Sequence, residues 1–202
     1  MYKRQFRLIS LFYCVTYAAV VLGCLTWWHQ HYRTRPIREF CATVSANTWL
    51  DSETKSVMTT LAWQPKAWES GLIPRLSGPT SPRHIVWNAK LNCAQGRRHL
   101  YIFDALLRPA ADAPVPLICV LLDEEKKVAA WAEVAPYSSG FLNATLDGQN
   151  VLTVSASANW FHGKGVYRYK IECDAIDALG DGEFSKFDDK QVDNKPAETT
   201  SD

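Results

Sequence analysis

The sequence predicts a mainly β protein, an antiparallel sandwich or partly open barrel, preceded by one transmembrane α-helix. Three observations predict it. Residues 8–28 carry no charge. From Ile85 to Cys173 short apolar or alternating runs recur at regular spacing, roughly seven or eight of them, which is the pattern of a sandwich rather than of alternating strands and helices. Four cysteines, Cys41, Cys93, Cys119 and Cys173, are spread along the chain beyond the anchor.

The anchor comes first. Residues 1–7 hold Lys3, Arg4 and Arg7 and read as a cytoplasmic tail. "LISLFYCVTYAAVVLGCLTWW", Leu8 to Trp28, has no polar face. As a helix it spans roughly 30 Å, the thickness of a bilayer's hydrocarbon core. Trp27 and Trp28 fall where an aromatic belt lies. The run is longer than a signal-peptide core and ends in Trp-Trp, which favours a retained signal-anchor over cleavage. Cleavage before Cys24, at "VVLGC", is the lipoprotein-like alternative. Basic residues flank both ends, Lys3, Arg4 and Arg7 before and Arg33, Arg35 and Arg38 after, so charge alone does not orient the helix. The cysteines do. An even set without C-x-x-C spacing, behind a membrane segment, reads as disulfides in an oxidising compartment. That puts the N-terminus in the cytoplasm and the main domain in the lumen, the periplasm or outside the cell.

Residues 29–40, "HQHYRTRPIREF", read as a polar stem, and 41–173 as the exported β-rich domain. Val, Thr and Trp in partial alternation give residues 41–70 strand character. "GLIPRLSGPTSPRH", 71–84, is a loop by its prolines and glycines. "HIVWNAKLNC" alternates, and "HLYIFDALL" is rich in β-formers. "VPLICVLLD" is a continuous apolar run of strand length, as a centre strand buried on both faces would be. "DEEKK" is a charged turn and "VAAWAEV" the returning strand. Asp147-Gly148 marks a hairpin between "GFLNATL" and "NVLTVSAS". "GVYRYKIEC" alternates as a half-buried strand. Residues 174–202 are acidic and poor in apolar side chains, the composition of a disordered tail.

Chemistry is sparse. The chain of 202 residues has a net charge of +1, so no global field points to nucleic acid. No G-x-S-x-G elbow, H-E-x-x-H helix or phosphate loop is present. His84, His99 and His162 stand alone on separate segments, and "HGKG" at 162–165 reads as a turn. Asp123, Glu124 and Glu125 beside Lys126 and Lys127 could pair as acid and base, but a mixed-charge turn explains them more simply. Asp181-Gly182-Glu183 is a short acidic pair in the tail. No catalytic residue, metal ligand or cofactor is assigned. Asn143-Ala144-Thr145 matches the N-glycosylation acceptor pattern, which would make the protein a glycoprotein in a glycosylating compartment. Of the tryptophans beyond the anchor, Trp49, Trp63, Trp68, Trp87, Trp131 and Trp160, most should be core. Trp63 and Trp68, in the Pro-interrupted "WQPKAW", are the candidate ligand platforms. Cysteine order suggests Cys41–Cys93 and Cys119–Cys173, one of the three connectivities that four cysteines allow.

"YIFDALLRPAADAPVPLICVLL", with Tyr101, Ala105, Arg108 and Cys119, and "VYRYKIEC" after it resemble the N-terminal, stem-side segment of glycosyltransferase family 92. Members are type II membrane proteins, and the resemblance implies a β-rich module ahead of a catalytic domain. The family's sugar-nucleotide domain with its acidic metal motif does not follow here, so no catalytic residue carries over. The layout is similar too to small single-pass periplasmic proteins of bacteria that accompany membrane-bound regulators. The reading is a non-catalytic, single-pass membrane protein whose disulfide-stabilised domain binds a protein or glycan partner. Its alternatives are a truncated glycosyltransferase-like protein and such a bacterial accessory.

Overall fold

The structure, a computed structural model, describes residues 2–77, 83–106, 114–158 and 163–186. Trp160, His162 and Arg108 lie outside them. The chain divides into two compact units, Met1–Ala46 and Asn47–Asp202.

The first unit is a single α-helix, α1, Tyr2–Ala46, of 45 residues. At ~1.5 Å per residue it is about 67 Å long, twice a bilayer's hydrocarbon core. It is the one helix among the described residues long and apolar enough to cross a membrane. Over residues 10–28 its apolar side chains are exposed, Phe12 at 73% and Trp28 at 62%, while Phe40 and Val44 near its end are buried. The expected stem, 29–40, is a continuation of this helix through Pro36. Arg35 pairs with Glu39 one turn on, at 2.7 Å, and supports the polar half.

The second unit opens with helices where strands were expected. These are α2 (Ser52–Ala62), α3 (Pro65–Glu69) and α4 (Leu72–Leu76). The Thr and Val residues that suggested alternation fall instead on one helical stripe, with Thr54, Val57, Met58 and Leu61 buried. Asp51 caps the helix, its Oδ1 accepting the Thr54 N–H at 2.8 Å. Pro65 opens α3 at a position where a missing N–H costs nothing.

From Arg83 the expected β domain follows. One sheet has the order β1 (Arg83–Cys93), β2 (Gly96–Ala105), β3 (Leu117–Leu122), β4 (Val128–Val134). The other runs β5 (Gly140–Leu146), β6 (Val151–Ala158), β7 (Gly163–Ile171), with β8 (Ile176–Ala178) and β9 (Glu183–Lys186) both on β7. Every pairing is antiparallel, and the sheets do not close into a barrel. All six residues of β3 are buried. Leu117, Cys119 and Leu121 join Leu152, Val154 and Tyr169 in the core between the sheets. Ile118, Val120 and Leu122 face the other way, the side on which α2–α4 lie, tied by Thr54 Oγ1 to the Ile85 N–H and by Lys66 Nζ to the Val128 carbonyl. A helix layer therefore covers one sheet and the second sheet covers the other face, which is why "LICVLL" has no polar position.

The Asp147-Gly148 hairpin forms as expected. Asp147 Oδ1 accepts the N–H groups of Gln149 and Val151, both at 2.8 Å, and Asn150 takes the left-handed conformation (φ 60°). At the end of β4, Ala135 also has φ 48°, and its N–H is held at 2.9 Å by the buried Tyr169 hydroxyl.

Two further expectations are corrected. Residues 163–165 are β7, not a turn. Residues 174–186 of the expected tail hold two strands, β8 and β9, which pair with the edge of β7, and Phe184 packs edge-on to Tyr167 at 5.8 Å; residues 187–202 lie outside the described residues. Sequence composition misses order that a neighbouring strand supplies.

Candidate functional site

The cysteines pair differently from the order-based expectation. The bridge is Cys93–Cys173, with Cα atoms 5.9 Å apart, and Cys41 and Cys119 are free. The reason is placement. Cys93 ends β1 and Cys173 follows β7, so the bond ties one sheet to the other. Cys119 points from the middle of β3 into the apolar core, where burial pushes its thiol up to about 12. Cys41 belongs to α1. Beside the bridge, Arg98 Nε donates to the Cys173 carbonyl at 3.1 Å.

The helix layer leaves part of the first sheet uncovered, and a cleft of about 70 Å³ forms at its margin. Its floor is β2. His99, Tyr101 and Phe103 alternate along that strand and so share one face. The His99 and Tyr101 rings lie 6.4 Å apart and nearly parallel, and Tyr101 and Phe103 are 6.5 Å apart. Phe103 is fully buried; the other two are half-buried and line the cleft. Burial pushes the Tyr101 hydroxyl above its ordinary pKa, and nearby Glu53 adds to the effect. One wall is α2, through Val57 and Thr60. The other is the β3–β4 corner, through Leu122, Asp123, Glu124 and Lys126.

That corner is built as a turn. Asp123 Oδ1 accepts the Lys127 N–H at 2.8 Å, and the Asp123 carbonyl accepts the Lys126 N–H at 2.9 Å with Lys126 left-handed (φ 60°). Glu124 Oε1 accepts the Arg97 N–H at 2.8 Å and so fixes the β1–β2 hairpin next to the disulfide. Glu125 pairs with Lys127 in solvent. The carboxylates hold backbone in place rather than converging as an acid–base pair. Gln64 locks the corner to the helices, donating to the Lys126 carbonyl at 2.6 Å and accepting from the Val128 N–H at 2.9 Å. The cleft walls are rigid for that reason.

The candidate platforms separate. Trp68 is half-buried and donates its indole N–H to the Ala62 carbonyl at 2.7 Å. Trp63 is 55% exposed at the end of α2, three residues past Thr60 and therefore on the same side of the helix, next to the Gln64 lock. It is not among the residues that line the cleft. Asn143 is exposed on β5 beside a register shift, with Ala144 turned into the core and Thr145 exposed. Among the described residues no three His, Cys, Asp or Glu side chains come together to hold a metal ion. In the sequence His99 and the charged corner lie on separate segments. What joins them is the β2–β3 register, His99 opposite Leu122, which no local pattern records.

No protein-family model, curated protein or solved structure matches the chain.

Proposed function

We propose that this is a non-catalytic, single-pass membrane protein, held by an uncleaved signal-anchor with its N-terminus in the cytoplasm. Its β domain lies on the non-cytosolic face and binds a protein or glycan partner. The observation that carries the binding role is the cleft between α2 and the β2–β3 corner. It has an aromatic floor of His99 and Tyr101, a mixed polar wall, and a corner held in place by hydrogen bonds. At about 70 Å³ the cleft is smaller than a small-molecule pocket and suits one protruding side chain or sugar edge of a larger partner. The Cys93–Cys173 bridge supports an oxidising compartment. Asn143, exposed on β5, is accessible as a glycan acceptor wherever that compartment glycosylates.

A photo-crosslinking side chain, p-benzoylphenylalanine, tests the binding role when placed at Thr60 in the full chain in its native membrane. Its control is the same side chain at exposed Gln149 on the hairpin between β5 and β6. A discrete adduct from position 60 alone is expected. Equal adducts from both positions, or none from position 60, would refute the assignment.

A further inference from the structure

We propose that the terminal strand β9 is an exchangeable strap, and that a second copy of this chain supplies its own β9 to the same seat, giving a strand-exchanged dimer. The seat and the strap are both visible. β8 and β9 run antiparallel along one edge of β7, and the register slips by two residues between Arg168–Leu179 and Val166–Glu183. They are one edge strand with an interruption. It falls at Gly180–Gly182, where both glycines have φ values open only to residues without a side chain, +126° and +89°.

Tyr167 causes the interruption. Its ring lies against Gly165 and Gly182 so closely that a Cβ on either would come within 2.7 Å. Phe184 closes the arrangement, edge-on to Tyr167 at 5.8 Å and 6.3 Å from Tyr137. Beyond this packing and its backbone ladder to β7, β9 lies at the surface. All four residues are exposed, and the Arg168–Glu183 pair spans 3.7 Å with both side chains more than half in solvent, where such a pair contributes little.

The consequence follows from the chemistry of strand edges. When β9 lifts, β7 presents unpaired N–H and C=O groups from Gly163 to Val166 and an aromatic socket between Tyr137 and Tyr167. Such an edge pairs with another strand. The strand it is shaped for is β9. A second copy therefore restores the β9 ladder and the Phe184 packing, while the glycine hinge, with its contact to Tyr167, changes conformation. The anchor proposed above confines copies to one membrane plane and raises their effective concentration for this exchange. The exchange itself does not depend on the cleft.

Two variants, each with one added cysteine, test it in the full chain in membranes, in a C14A/C24A/C41A background that removes the accessible free thiols and keeps the Cys93–Cys173 bridge and buried Cys119. One copy carries K164C and the other S185C. These positions face each other across β7 and β9, and both are exposed. Co-expression followed by oxidation should give a covalent heterodimer on a non-reducing gel, and neither variant alone should match its yield. The double variant K164C/S185C should give dimer as well as internally closed monomer. A double variant that closes only within the monomer, with no heterodimer from the mixture, would overturn exchange. So would single variants that dimerise as strongly as the mixture. Heterodimer in concentrated non-ionic detergent but not in membranes would leave exchange standing and instead contradict the shared-plane anchoring.

Discussion

Replacing both bridge cysteines, Cys93→Ser and Cys173→Ser, should remove a large share of the margin by which the β domain is stable. The bond closes a loop with a sequence separation of 80 residues. In the chain-entropy description such a loop contributes about 4.5 kcal/mol at 25 °C. Whole domains are stable by only about 5–15 kcal/mol. The bond also joins β1 in one sheet to the end of β7 in the other, so its loss acts on the contact between sheets and not on a local turn. A domain of this size loses roughly 2–4 °C of melting temperature per kcal/mol, so the midpoint should fall by roughly 9–18 °C. Tryptophan fluorescence during urea unfolding reads the change directly: the urea midpoint should drop, and the slope should rise because the unbridged unfolded chain exposes more surface. Reductant should produce the same shift in the unaltered chain, and Cys41→Ser should produce none. Equal urea midpoints for the oxidised and reduced chain would refute the assigned pairing and the stabilising role drawn from it.

Three further outcomes are expected. Tyr169→Phe strips the acceptor from the buried Ala135 N–H and should cost about 1–3 kcal/mol in urea unfolding. Alkali should destabilise the fold. Burial pushes the Cys119 thiol to about 12 from 9.0 and the Tyr167 hydroxyl to about 12 from 10.0, so both stay neutral in the folded chain while the unfolded chain has already lost its protons. Their contribution is complete below pH 9 and declines as pH rises toward 12, which unfolding measured across that window would register. Gly182→Ala places a Cβ 2.7 Å from the Tyr167 ring at φ +89° and should cost about 1–3 kcal/mol. The effect should appear as faster amide hydrogen exchange confined to residues 183–186 and their β7 partners.

The β strands were legible because their residues meet both demands of a sandwich at once. "VAAWAEV" between a charged turn and a proline can only return along its neighbour, and "LICVLL" can only be covered on both faces. The helices at 52–76 were not. Thr, Val and Trp at mixed spacings suit a strand equally well, and helix wins there because Asp51 and Pro65 open helical turns and because the face of β3 bearing Ile118 and Val120 needs a cover. The disulfide partners were out of reach for the same non-local reason. Cys93 and Cys173 meet through the stacking of two sheets, while the buried position of Cys119 depends on the strand facing it. The cleft divides similarly. The charged corner was visible in the sequence as a turn, but its meeting with His99, Tyr101 and Thr60 is a product of register and of the helix layer.

The most direct test of the reading is the location and oxidation state of two thiols in intact cells. A membrane-impermeant maleimide should label Cys93 and Cys173 from outside the cytoplasmic membrane only after a reductant has been added. In a Cys41→Ala chain, which lacks the free thiol that lies beyond the anchor, labelling of either residue without reductant, or only after the membrane is opened, would contradict an exported, bridged domain.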